Sequence, residues 1–330
     1  MRAITYDRYG GPEVLEVSEV ERPAVADDRI LIRVQAAEAC KSDCEMRSFD
    51  FSVKWFWLPL RLALGAFRPR RKILGLYFAG VVEEVGADVE GFAPGDAVYG
   101  TPGMARGAYG EYVSVPAKAV VVPKPTSMTF AEAAAVPLGA INALHFLRTA
   151  GVSSGDRVLI NGAGGVIGAY GVQLASAWGA HVTAVDAGHK EEFVRRMGAA
   201  EFVDYQRQDV TKLGERFDVV FDMVPSTSLS RMLRLLRRGG RYANGNPRFS
   251  TLVRSPITSR RTGKRIHVAF ADENRDVLRE LATLADEGTI RPIVDRVLAM
   301  DEAPEAHRLV DSEERIGAIV LAMGPRAEER

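Results

Sequence analysis

Residues 157–186 constrain the fold more than any other stretch. Arg157-Val-Leu-Ile-Asn161 is a short, largely β-branched apolar run, and Gly162-Ala-Gly164-Gly165-Val-Ile-Gly168 follows it. Apolar residues then recur at helical spacing from Val166 to Trp178, Gly179 stops the helix, and a second apolar run ends at Val185-Asp186. The prediction is strand, tight turn, helix, strand. Gly162, Gly165 and Gly168 stand where a side chain would block the sharp turn, the approach of a pyrophosphate or close packing of helix on strand. With the backbone of Gly164, Val166 and Ile167 they form a phosphate cradle at a helix N-terminus, where unpaired N–H groups and the helix dipole favour anions. Asp186, about 20 residues on, is the acid expected to hold an adenosine ribose. The competing reading is a glycine turn that binds no dinucleotide; strand, helix and acid together weigh against it.

A chain of 330 residues has room for two domains. Lys plus Arg equals Asp plus Glu at 43 each, so no global field draws it to nucleic acid or to an anionic membrane, and small molecules are the expected partners. The N-terminus starts on an alternating strand pattern instead of a signal sequence, and no apolar run reaches the roughly 18 residues that span a bilayer. The expectation is a soluble, cytoplasmic protein without stable membrane insertion. Cys40 and Cys44 are the only cysteines, too few for a disulfide framework, which fits a reducing compartment.

Residues 1–125 carry short β-type runs at 2–6, 15–20, 30–36, 79–85, 97–99, 109–115 and 120–122, punctuated by turns such as Gly10-Gly11-Pro12 and Pro94-Gly95-Asp96. A β-dominated domain is predicted. The segment 49–67, with Trp55-Phe56-Trp57-Leu58 at its centre and the basic run 68–72 after it, departs from that style. A helical excursion packed on the first domain, a lid over an apolar substrate pocket and a membrane-touching patch are its three open readings. From Thr129 the pattern turns helical at 130–136 and 140–150, then alternates β and α units through 200–203, 218–221, 229–236, 241–243 and 266–270. Such alternation builds a parallel sheet with helices on both faces. An amphipathic helix at 273–287, ended by Gly288, precedes strand, helix and strand at 292–300, 303–310 and 316–322.

These residues resemble the medium-chain dehydrogenase/reductases, and within them the zinc-free quinone-oxidoreductase-like branch. The likeness runs nearly end to end, through Tyr9-Gly-Gly-Pro-Glu-Val-Leu-Glu-Val17, Leu74-Gly75, Phe78-Ala-Gly-Val-Val-Glu-Glu-Val-Gly86 and Phe92-Ala-Pro-Gly-Asp96. It continues through Gly107-Ala-Tyr-Gly-Glu-Tyr112, Ala133-Ala-Ala-Val-Pro-Leu138, the glycine turn, Phe202-Val-Asp-Tyr205 and Ile290-Arg-Pro-Ile-Val-Asp295. The resemblance implies an α/β fold: a GroES-like β domain at 1–122 and 290–330, a Rossmann doubly wound parallel-sheet domain at 123–289, and an active site in the cleft. It also implies a homodimer paired through an edge strand around 267–271.

Zinc-dependent members of this family use a Cys-x-Ser/Thr-Asp turn, a Gly-His-Glu turn and a later Cys as the catalytic metal site. Cys40-Lys41-Ser42-Asp43 is similar to the first, but Gly75-Leu76-Tyr77 stands for the second and Leu138 for the third. A single thiolate cannot hold Zn²⁺, which takes three protein ligands and an open position, so no metal site is expected. The zinc-free branch usually has Asn where Cys40 stands, and the chain matches neither pattern fully. Ser42 matches the proton-relay hydroxyl of zinc members or caps the next helix as an ST-turn. Tyr77 replaces an acidic family residue, either as an apolar wall or as a hydrogen-bond donor to substrate. Cys40 is a nucleophile candidate, but no His lies locally to make it a thiolate, and a packed thiol is the alternative. By resemblance, Asn246 lies near the nicotinamide, and Lys190 and Tyr205 lie where NADPH-dependent relatives hold the 2′-phosphate. Asp186 would repel that phosphate, so NAD(H) is expected, with NADP(H) as the alternative. The leading expectation is a zinc-free nicotinamide-dependent reductase of a small apolar carbonyl, an enone, enal or quinone. A zinc alcohol dehydrogenase and a dinucleotide-binding protein without turnover are the other two readings.

Overall fold

The computed structural model describes residues 1–51, 61–62, 64–212, 214, 216–245, 249–268 and 271–330, with 249–254 described by backbone alone. The chain divides into two compact units, Met1–Pro137 with Glu273–Arg330, and Leu138–Asp272.

The first unit is β-dominated. β1 (Arg2–Thr5) and β2 (Glu16–Glu19) form an antiparallel pair. The long strand β3 (Arg29–Ala39) is the axis of the main sheet, because a nearly unbroken buried run lets it be covered on both sides. On one side it pairs antiparallel with β4 (Phe78–Val85), which carries β5 (Ala97–Gly100) and then β7 (Val121–Pro123). Its first half also pairs with β6 (Tyr112–Pro116). On the other side the C-terminal β15 (Ala318–Ala322) pairs antiparallel with β3, Ile319 opposite Ala39, and β14 (Val294–Ala299) forms the edge. β3 therefore runs three residues past the 30–36 read from sequence, since β15 supplies hydrogen bonds that no local pattern reveals.

A core of Ile4, Phe78, Val98, Ile319 and Leu321 packs around this sheet. It encloses one polar string: Cys44 Sγ lies 3.4 Å from His307 Nδ1, and His307 Nε2 lies 3.1 Å from Tyr109 Oη. Burial lowers the His307 pKa to about 4, so the imidazole is neutral there. The strand read from sequence at 109–115 starts only at Tyr112, because the backbone of Tyr109 bonds Leu74 and Ile4 and not β3. The helix Phe130–Ala134 begins with a capping box, Thr129 Oγ1 accepting from Glu132 N–H while Glu132 accepts from Thr129 N–H.

The second unit is a six-stranded sheet with every neighbour parallel. Its order is β10 (Glu201–Asp204), β9 (His181–Asp186), β8 (Arg157–Asn161), β11 (Phe217–Asp222), β12 (Leu236–Asn244), β13 (Arg265–Val268). This is the doubly wound order in which strands grow outward from the first in both directions, and ligands bind past the carboxyl ends where the order reverses. That point is the end of β8. Val158, Leu159 and Ile160 are fully buried, as expected of a parallel strand with helices on both faces. The helix Phe249–Thr262 was not foreseen, because Pro256 inside it reads locally as a breaker. β13 is an edge of the sheet; residues 269–270 of the run expected there lie outside the described residues, as do 52–60 and 63 of the aromatic segment. No helix among the described residues is long and apolar enough to cross a membrane.

Candidate functional site

In the second unit, β8 ends at Asn161 and the chain turns through Gly162, whose φ of +83° is left-handed. The helix Val166–Ala177 then closes on the turn so tightly that a Cβ at Gly168 would lie 2.1 Å from the Gly162 carbonyl oxygen. Gly165 is the N-cap and its missing side chain leaves the first-turn N–H groups of this 12-residue helix without a side-chain cap. A Cβ on Gly165 would meet nothing closer than the Gly162 oxygen at 3.5 Å, so the cradle has room for a phosphate. Gly164, Val166 and Ile167 line the same turn.

Asp186 ends β9 and is itself part of this turn. Its Oδ2 accepts from Gly164 N–H at 2.7 Å and its Oδ1 from Ala187 N–H at 2.8 Å. Lys190 Nζ lies 3.8 Å from the same carboxylate and balances its charge in a buried setting. Tyr205 N–H donates to the Asp186 carbonyl, while the Tyr205 ring is 59% exposed. The fold thus gathers Asp186, Lys190 and Tyr205 at one strand end beside the cradle, and this set fits a dinucleotide with either a free or a phosphorylated ribose. Asn246 lies outside the described residues. A buried polar cluster at the ends of β8, β11 and β12 escaped the sequence reading: Asp222 accepts from Asn161 Nδ2 and Tyr242 Oη, each at 2.9 Å.

In the first unit, Cys40 is the N-cap of the helix Lys41–Ser48. Its thiol donates to Asp43 Oδ2 at 3.1 Å, and burial, then the Asp43 charge, pushes its pKa well above the ordinary thiol range. That setting holds Cys40 protonated, the opposite of what a nucleophilic cysteine needs. Asp43 is fully buried and also accepts from Gly75 N–H at 3.1 Å and from Arg106 Nη1. Arg106, only 6% exposed, donates from Nη2 to Ser42 Oγ at 2.8 Å. Burial works against the Arg106 charge, but Asp43 more than offsets it. Ser42 is half-buried and lies inside the helix, past the Cys40 N-cap, and its oxygen accepts from Arg106.

Tyr77 is buried, and its phenol donates to Glu273 Oε1 at 2.6 Å. Burial and then Glu273 push its pKa well above the ordinary value. Glu38, on β3, is completely buried, and neither carboxyl oxygen has a hydrogen-bond partner among the described residues. The structure therefore joins Ser42 to Arg106, Cys40 to Asp43 and Tyr77 to Glu273. Of these partners Asp43 was visible beside Ser42; Arg106 and Glu273, like the buried Glu38, carried no local signal. No group of three or more His, Cys, Asp or Glu able to hold a metal ion occurs among the described residues.

The chain matches the family model of the alcohol dehydrogenase GroES-like domain over residues 26–126 and that of the zinc-binding dehydrogenase over residues 197–321. It is 31% identical to the quinone oxidoreductase of Sus scrofa, covering 98% of each chain. It is 31% identical to the chloroplastic NADPH-dependent alkenal/one oxidoreductase of Arabidopsis thaliana, over 89% of this chain and 72% of that protein. The solved structure of the quinone oxidoreductase from Coxiella burnetii superposes with a TM-score of 0.86 at 27% identity, over 98% of this chain and 99% of the other.

Proposed function

Because this chain belongs to the medium-chain dehydrogenase/reductase superfamily, in its quinone-oxidoreductase-like branch, and is an oxidoreductase of that family, we propose that it reduces a small apolar enone, enal or quinone with a nicotinamide cofactor and without a catalytic metal. The observation that carries the reading is the donor chemistry around Cys40. The Cys40 thiol donates to Asp43, whose carboxylate is already taken up by Arg106 and Gly75 N–H, Ser42 and Tyr77 are bound to Arg106 and Glu273, and Leu76 and Leu138 stand at the other two positions where zinc members have ligands. Such a set offers no three-ligand site. Alcohol oxidation on a metal requires an ionised substrate oxygen, a task for which these side chains are unsuited. Reduction of a conjugated double bond avoids it, because the charge developing on the carbonyl oxygen can be met by fixed donors.

When bound, the reduced nicotinamide supplies the hydride to the β-carbon of the acceptor. Ser42 donates a hydrogen bond to the oxygen that takes up charge, and Tyr77 or water returns the proton. The cofactor's phosphates are assigned to the cradle of Gly162, Gly164, Gly165, Val166, Ile167 and Gly168. A panel of α,β-unsaturated carbonyls and quinones, followed at the absorbance of the reduced nicotinamide beside metal analysis of the purified protein, tests the reading. NADH binding without oxidation by any acceptor would leave a dinucleotide-binding protein without turnover, and activity lost only on chelation would sink the metal-free mechanism.

For the cofactor, NADH is the proposed preference, set by Asp186 and moderated by Lys190. Asp186→Ser should move the kcat/KM ratio about tenfold toward NADPH and Lys190→Ala about tenfold the other way, each near 1.4 kcal/mol of differential binding. An unchanged ratio in both variants removes the pair from the assignment. A second copy pairing along β13 is the proposed dimer contact, read out by the mass of the protein in solution.

A further inference from the structure

The Arg106 guanidinium carries two costs at one residue. Its backbone sits at φ +57°, ψ −160°, in a loop whose neighbours Gly103 and Gly107 are the residues suited to positive φ. Its Nε–H is buried without a partner among the described residues. A buried cation that is both strained and incompletely bonded is a poor way to stabilise a fold, and such features concentrate at working sites. What the cation does instead follows from donor counting. A guanidinium can only donate, so the 2.8 Å contact from Nη2 makes Ser42 Oγ the acceptor. The hydroxyl hydrogen is thereby directed away from Arg106, and no acceptor for it exists among the described residues. Asp43 holds the same guanidinium through Nη1 and is itself fixed by Gly75 N–H and Cys40.

The geometry points to Arg106 as a positioning residue: it fixes Ser42 as a polarised hydrogen-bond donor aimed at the oxygen of a bound carbonyl or quinone. This rests on the reading of Ser42 as a substrate-facing donor. A lysine could keep the pair with Asp43 but, as a point charge without the planar fork, could not hold Asp43 and Ser42 in one fixed arrangement.

The test uses 4-nitrophenol, whose yellow phenolate stands in for the charged oxygen, titrated with the full chain and oxidised cofactor. Wild type should favour bound phenolate over bound phenol about tenfold relative to free solution. Arg106→Met, Arg106→Lys and Ser42→Ala should each abolish that preference, and Arg106→Met with Ser42→Ala should lose no more than either alone. Thermal melting runs in parallel; if Arg106→Met does not fold, Arg106→Lys carries the comparison. A purely structural Arg106 would lower the melting temperature and leave the phenolate ratio intact. Retention of the ratio in Arg106→Lys, losses that add to that of Ser42→Ala, or no phenolate preference in wild type overturns the assignment. Enone and quinone turnover is measured on the same samples. The expected probe pattern without turnover would sink the reductase reading alone, and turnover without that pattern would sink only the role of Arg106.

Discussion

Ser42→Ala combined with Tyr77→Phe is expected to lower the rate of hydride transfer to an enone about 10²-fold while leaving NADH affinity in place, the usual scale for losing donors to a developing oxyanion. Both hydroxyls belong to the first unit and neither belongs to the phosphate cradle of the second, so cofactor binding has no reason to change. The two losses are not equivalent. Ser42 Oγ takes a donor from a cation, which strengthens its own O–H as a donor to substrate. Tyr77 already gives its proton to Glu273, so it must exchange that partner before it can serve a substrate. The Ser42 loss should therefore fall on the hydride step, and the Tyr77 loss on protonation and on its dependence on solvent deuterium. Each substitution also strands a partner, Arg106 Nη2 or Glu273 Oε1, at roughly 1–3 kcal/mol if it stays buried. Single-turnover rates must be read beside melting curves for that reason. A folded double variant with wild-type single-turnover rate would remove both residues from the site.

The cofactor half of the site was legible because its determinants are consecutive. Cradle, helix and ribose acid lie within one strand-turn-helix-strand, and each has a local reason: a positive φ at Gly162, a close approach at Gly168, a strand end at Asp186. The substrate half is assembled from residues far apart in sequence. Arg106 reaches back to Asp43 across 63 residues, and Tyr77 meets Glu273 across 196, so no periodicity or spacing connects them. Arg106 sits in Gly103-Met-Ala-Arg106-Gly107, which by itself reads only as a turn. Glu38 was hidden for a related reason: it lies past the run 30–36 read as strand, and the pairing with β15 that carries β3 on to Ala39, Glu38 opposite Val320, has no local signal.

Glu38 also contributes a pH dependence to stability. Burial, with Asp43 adding to it and Arg315 opposing it, raises the carboxyl from its ordinary 4.5 to about 8. Cys40 and Tyr77 are the other titratable groups close enough to couple with it, and both stay protonated across this range. Because the folded pKa is the higher one, Glu38 keeps a proton in the folded chain that it loses in the unfolded chain between those two values. Through this group the folded state binds one more proton, and its contribution to stability falls as pH rises, by about 1.4 kcal/mol per pH unit. The contribution is complete below pH 4.5 and is lost by about pH 8, where folded Glu38 ionises as well and the slope ends. Over that window the loss sums to roughly 3–5 kcal/mol. Carboxylates held down by partners, such as Asp311 beside Arg47, act in the opposite sense below this window, whereas buried His307, with its pKa lowered from 6.5 to about 4, adds stability as pH rises to about 6.5 and opposes the Glu38 slope there. Glu38→Gln keeps the shape and cannot ionise, so the His307 contribution is common to both chains and the gain of the variant over wild type should grow from pH 5 to its largest value near pH 8. Parallel wild-type and Glu38→Gln denaturation midpoints across that range would mean that the carboxyl ionises in the folded chain as freely as in water.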